Sequence, residues 1–189
     1  MAMRLVVVVF LGFVATACAN ASSKDLATNT EAGGEGDPVN AGTILAAPTT
    51  FEVALEDEVR QRLELRLARG SLDVVRLGIH DLRPRAAQAL KGVRIFIEKP
   101  DADVRTPAGD PHSAGAFVLG FQTPESMLLN VAPTLSRLWQ SGDLAPEDLA
   151  GRKALRVTFV PETWDSAAAL PEDFALAFES LTIEVPADP

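Results

Sequence analysis

Between Gly92 and Glu98 the chain alternates Val93, Ile95 and Ile97 with Arg94, Phe96 and Glu98. Successive side chains of a strand point to opposite sides, so this period of two suits a β-strand with one face buried. A second run, Ser113 to Phe121, opens on small residues and then sets Phe117, Leu119 and Phe121 on one side. Joined by a loop, the two runs predict the middle of a sheet.

Other runs of the same kind surround this pair. Thr50 to Glu56 alternates, Arg62 to Leu67 places Leu63, Leu65 and Leu67 in phase before Gly70, and Ser71 to Ile79 does the same with Val75, Leu77 and Ile79. Asp81 to Arg85 predicts a turn or bulge, because Pro84 has no N–H to give a ladder, and Ala86 to Leu90 has room for one helical turn. Further strands are expected at Ser126 to Val131, at Ala154 to Val160, and through Phe174, Leu176 and Phe178. Leu181, Ile183 and Val185 then continue in the opposite parity, so a bulge or tight turn is expected at Glu179-Ser180. Only one segment has helical spacing: Leu135, Leu138 and Trp139, with Pro133 at its start and Gly142 past its end. Short strands with frequent turn signals predict an all-β fold, an antiparallel β-sandwich of jelly-roll-like type with one short connecting helix. Leu65, Ile95, Phe117 and Phe159 are expected in its core.

Ahead of this domain, residues 1–18 carry a single charge, Arg4, then an apolar run from Leu5 to Ala17 and a small-residue end. That is the layout of a signal peptide, and the run is shorter than the roughly 20 residues a spanning helix needs. Val14-Ala-Thr-Ala-Cys18 resembles a bacterial lipobox, which would leave Cys18 as a lipidated N-terminus. The alternative is an A-x-A site at Ala17-Cys18-Ala19 with free secretion from Asn20. The sole cysteine stands where lipidation needs it, so the expected location is extracytoplasmic and membrane-anchored. Residues 19–49 are small and polar and predict a flexible linker, leaving residues 50–186 as the folded domain.

The formal charge is −9, and it becomes more acidic by one when Arg4 leaves with the leader. Nucleic-acid backbones need clustered Lys and Arg, so no nucleic-acid partner is expected. One cysteine allows no intrachain disulfide, and with two histidines, His80 and His112, no cofactor or metal is expected. A surface site from His112 with Asp101, Asp103 or Asp110 can be drawn, but a histidine beside a turn is ordinarily solvated. Ser113 and His112 are neighbours in an extended segment and point apart, so they form no nucleophile–base pair. No catalytic residue is assigned and no enzyme activity is expected.

The order of segments resembles the C-terminal domain of plant-type polyphenol oxidases and tyrosinases. Gly92-Val-Arg-Ile-Phe-Ile-Glu98 and Ala114-Gly-Ala-Phe117 stand where that family has a strand, a variable loop and a small-residue strand. The Leu135 to Gln140 helix, Val157-Thr-Phe-Val-Pro161, Arg76-Leu-Gly-Ile79 and Leu181 to Val185 follow the same correspondence, over most of residues 60–186. In that family the dicopper site lies in a separate helical domain, three histidines to each copper, and the C-terminal domain covers it. The resemblance implies a non-catalytic module acting by protein contact, its partner a separately encoded tyrosinase-like dicopper protein. The loop from Lys99 to His112 is the candidate contact surface, with Asp101, Asp103, Arg105, Asp110 and His112 as its polar residues and three prolines to limit its freedom. The alternative is a cell-surface sandwich that binds a polymer or protein and has no connection to a copper oxidase.

Overall fold

The computed structural model describes residues 41–119, 125–145, 149–165 and 168–187. Among these residues ten strands form three sheets, every pairing antiparallel. In chain order the strands are β1 (Gly42–Leu45), β2 (Thr49–Ala54), β3 (Arg76–His80), β4 (Arg83–Arg85), β5 (Leu90–Ile97), β6 (Ser113–Phe117), β7 (Ser126–Asn130), β8 (Ala154–Thr163), β9 (Ala175–Phe178) and β10 (Ser180–Glu184). The sheets run β2-β8-β5-β6, β10-β3-β7 and β1-β9-β4. The all-β sandwich is as expected from the alternating runs. One core receives Val53, Val93, Ile95, Ile97, Phe117, Leu155, Val157 and Phe159 from the first sheet, Leu77, Ile79, Leu181 and Ile183 from the second, and Ile44, Leu176 and Phe178 from the third.

The parity change near Glu179 is where one run passes between sheets. β9 pairs with β4 and β10 with β3, so the two runs form a long antiparallel ribbon that bends at Asp81-Leu82 and at Glu179. Asp81 turns with φ 56°, and the Glu179 N–H donates to the His80 carbonyl at 2.9 Å. Switching the side on which apolar residues fall lets each half face the same core.

Several expectations need correction. Arg62–Leu67 is no strand: it lies inside helix α1 (Asp57–Arg69). Leu63 and Leu67, one helical turn apart, are buried, whereas Leu65 is 48% exposed and outside the core. Straight-chain Leu, Arg, Glu and Gln favour the helix. Asp57 and Glu58 start it, Arg60 pairs with Asp57 and Arg62 with Glu58, and Gly70 ends it with φ 64° while the Ser71 N–H reaches the Arg66 carbonyl. A second helix therefore joins the expected one, which is α2 (Ala132–Ser141), closed by Gly142 with φ 82°. A 3₁₀ turn, Ala87–Ala89, fills the predicted helical turn.

Of the expected Ser71–Ile79 strand only β3 pairs. Pro84 does sit in a strand, β4, but on the outer edge of its sheet, where a missing N–H breaks no ladder. β1 lies within the stretch read as linker: Ile44 is fully buried, so the fold starts earlier than residue 50. Gly42 is required there, because a Cβ would fall 2.4 Å from the ring of Phe51 and 2.6 Å from that of Phe178. Those two rings meet edge to face at 5.0 Å, and Phe51 meets Phe159 at 5.8 Å. β6 ends at Phe117, and Phe121 lies outside the described residues.

Candidate functional site

β5 is buried on both faces, not one. Val93, Ile95 and Ile97 point into the main core, while Phe96 on the other side joins Ala102 and Val160 in a second, small apolar cluster. Ala102 belongs to the loop of residues 99–112, so that loop folds back over the outer face of its own hairpin.

The chain enters the loop at Glu98, whose φ of 55° lies in the left-handed region that L side chains avoid. Its carboxylate fixes the turn across β8. Oε1 accepts the Arg156 N–H at 2.8 Å, and Oε2 receives the Arg156 side chain at 3.0 Å and Arg152 at 2.5 Å. The Glu98 N–H in turn donates to the Arg156 carbonyl at 2.9 Å.

Beneath the loop lies Arg94, only 8% exposed. Its guanidinium donates to the carbonyls of Thr106, Val104 (3.0 Å) and Asp103 (3.2 Å) and sits 5.4 Å above the Phe96 ring. Its Nε is 2.6 Å from Glu162 Oε1, a close ion pair although the N–H is not well aimed at that oxygen. Burying a guanidinium is costly unless its donors are met, and here the loop's own backbone meets them.

The loop's polar residues divide by direction. Asp103 Oδ1 accepts the N–H groups of Arg105 (2.8 Å) and Thr106 (2.9 Å), and the Thr106 hydroxyl accepts the Asp103 N–H at 2.9 Å, a reciprocal cap. The Arg105 N–H, above all, holds the Asp103 carboxyl below its ordinary pKa; burial opposes it, and the two Thr106 donors and the Arg105 charge add to the lowering. Asp110 accepts the His112 N–H at 2.9 Å and faces Lys99 at 3.7 Å. His112 Nδ1 lies 2.8 Å from the Ile97 carbonyl; a carbonyl only accepts, so Nδ1 carries the proton. Asp103, Asp110 and His112 thus fasten the loop. Val104 (64% exposed), Arg105 and Asp101 are left on the surface.

The other histidine, His80, stands on β3 with Nδ1 3.3 Å from Ser126 Oγ and Nε2 3.2 Å from Thr182 Oγ1. Among the described residues no three of His, Cys, Asp and Glu converge as metal ligands, and no described helix is long and apolar enough to cross a membrane. Cys18 lies outside the described residues.

Sequence reasoning missed Arg94 and Glu98, which read as the solvated side of an alternating strand, and Glu162, which lies beyond the expected end of β8 at Val160. The two tryptophans, which the sequence allows as a joint platform for a ring, have different settings, since Trp139 packs against the main core. Trp164 is 70% exposed and, with Val104, Pro161, Leu170, Lys91 and Glu162, lines an open groove of about 610 Å3 beside the loop.

No protein-family model and no curated protein matches the chain. Solved structures that match include a recombinantly expressed latent aurone synthase (polyphenol oxidase), with 19% identity, TM-score 0.42 and 77% of this chain covered. The same enzyme from its natural source matches with 18% identity and TM-score 0.42. Latent apple tyrosinase matches with 14% identity, TM-score 0.38 and 76% of this chain covered. The match takes in 25%, 26% and 27% of those chains, so this chain corresponds to about a quarter of their length.

Proposed function

We propose that this protein is a non-catalytic, extracytoplasmic module, tethered through Cys18, that works by contact between its 99–112 loop and a tyrosinase-like dicopper protein. The observation that carries the reading is the anchoring of the loop from below. Arg94, Asp103 and His112 take up the loop's polar groups internally, so the backbone that presents Val104 and Arg105 is held in place and little of its freedom is lost on binding. Two histidines in the whole sequence cannot supply the six of a dicopper centre, which suits a partner to such a centre. The motif order between Arg76 and Val185 supplies the family of that partner.

A photo-cross-linking residue at Arg105, in the full chain and in its native envelope, tests the contact. The expected product contains a copper oxidase, identified by mass spectrometry, and disappears when residues 102–109 are deleted. Recovery of no copper protein, or equal recovery with the deletion, overturns the reading. The tether is tested separately by the mass of the mature N-terminus: acylated Cys18 supports it, and an unmodified chain from Asn20 refutes it.

A further inference from the structure

The groove beside the loop has an amphipathic lining, of which the contact reading uses only Val104. Trp164, Pro161, Leu170 and Val104 make the lining partly apolar, and Lys91 and Glu162 add opposite charges to it. Glu162 spends one oxygen, Oε1, on Arg94. Its second, Oε2, meets the Lys91 ammonium at 3.9 Å, too far for a hydrogen bond. Both side chains reach solvent, Lys91 half exposed and Glu162 less so. A hydroxyl oxygen set between them at about 2.8 Å from each would accept from Lys91 and donate to Glu162, closing the gap.

We infer that this groove binds a saccharide ring, its C–H face against the Trp164 indole and a ring hydroxyl between Lys91 Nζ and Glu162 Oε2. The mixed lining selects this chemistry. A purely apolar occupant would strip water from an ammonium and a carboxylate without replacing their hydrogen bonds, and a small ion would leave the tryptophan wet. A pyranose offers an apolar face and a rim of hydroxyls together. The groove is open rather than enclosed, so a ring within a longer polymer can enter it. The size lies within the range usual for small-molecule sites. Val104 and Glu162 are shared with the loop and its anchor, but Trp164 and Lys91 take no part in anchoring residues 99–112.

Saturation-transfer NMR of the full chain with a panel of gluco-, xylo-, manno- and chito-oligosaccharides, followed by titration of tryptophan fluorescence, tests it. At least one oligosaccharide is expected to bind in the millimolar range or better. Trp164→Ala, at an exposed position, should leave the melting temperature unchanged and weaken binding by about tenfold or more, and Lys91→Met by several-fold. Lys91→Met avoids the risk of Glu162 variants, which would unpair Arg94. No saturable binding up to about 10 mM across the panel, binding unaffected by Trp164→Ala, or binding of phenol with no saccharide bound, each overturns the assignment. Retention of the Arg105 cross-link in Trp164→Ala would show the two surfaces to be separate.

Discussion

The two faces of β5 are both dry, but they are held by different forces. The inner face belongs to a large core built from all three sheets, where stability scales with apolar area removed from water. The apolar cluster of the outer face is just Phe96, Ala102 and Val160, too little area to order the 15-residue connection between Ile97 and Ser113 by itself. There the work falls to directional bonds: one guanidinium to three carbonyls, one carboxylate to two arginines, one imidazole to one carbonyl. A core of area tolerates changes that keep its volume, whereas a lid held by a few donors fails when one donor goes.

Four perturbations should separate the two regimes. Phe159→Ala, which empties a fully buried ring in contact with Phe51 and Phe178, should cost about 3 to 5 kcal/mol in chemical denaturation and lower hydrogen-exchange protection throughout the domain. Arg94→Met keeps the length and removes the donors; about 2 kcal/mol is expected. That loss should be confined to amides of residues 99–112, and uniform loss across the sheets would erase the distinction between the faces. Glu98→Gln should cost about 1 kcal/mol, read as a shift in midpoint, because the amide keeps the Arg156 N–H partner and gives up the charge opposite Arg152 and Arg156. The smallest effect concerns Asp103. Its folded pKa is depressed, so its contribution is complete above the ordinary carboxylate range near pH 4 and is lost as the pH falls through the folded value. Loop amides, Arg105 and Thr106 foremost, should exchange faster on acidification while core amides do not, and Asp103→Asn should abolish that difference.

The strands were legible because Val93, Ile95, Leu155, Val157 and Phe159 alternate without interruption, with β-branched and aromatic residues dense around them. α1 was not, because Leu63, Leu65 and Leu67 satisfy the strand pattern while Val59, Leu63 and Leu67 satisfy the helical one over the same residues. The capping signs at Asp57, Glu58 and Gly70 and the lack of β-branched residues after Val59 would have decided it. β1 is four residues long and paired with a strand at the far end of the domain, so local pattern carried no sign of it. The loop's position was legible from its prolines. Its anchoring was not: Arg94 looks solvated in a one-sided strand, and only the fold shows that backbone carbonyls, invisible to side-chain pattern, come to meet it.

The pairing scheme also bears on the order in which the chain can assemble. Among the described strands, β5 and β6 alone are paired neighbours in sequence; β1 waits for β9, β2 for β8, and β3 for β7 and β10. Thr49 meets Phe159 across more of the chain than separates any two residues of the hairpin. Closing such distances is slow, in the range of milliseconds to seconds for folds dominated by remote pairings. The β5–β6 hairpin, with Arg94 already able to reach the carbonyls of its own loop, is the one piece that needs no distant partner. It is therefore placed to form first and to present β5, edge outward, as the template on which β8 and then β2 are laid.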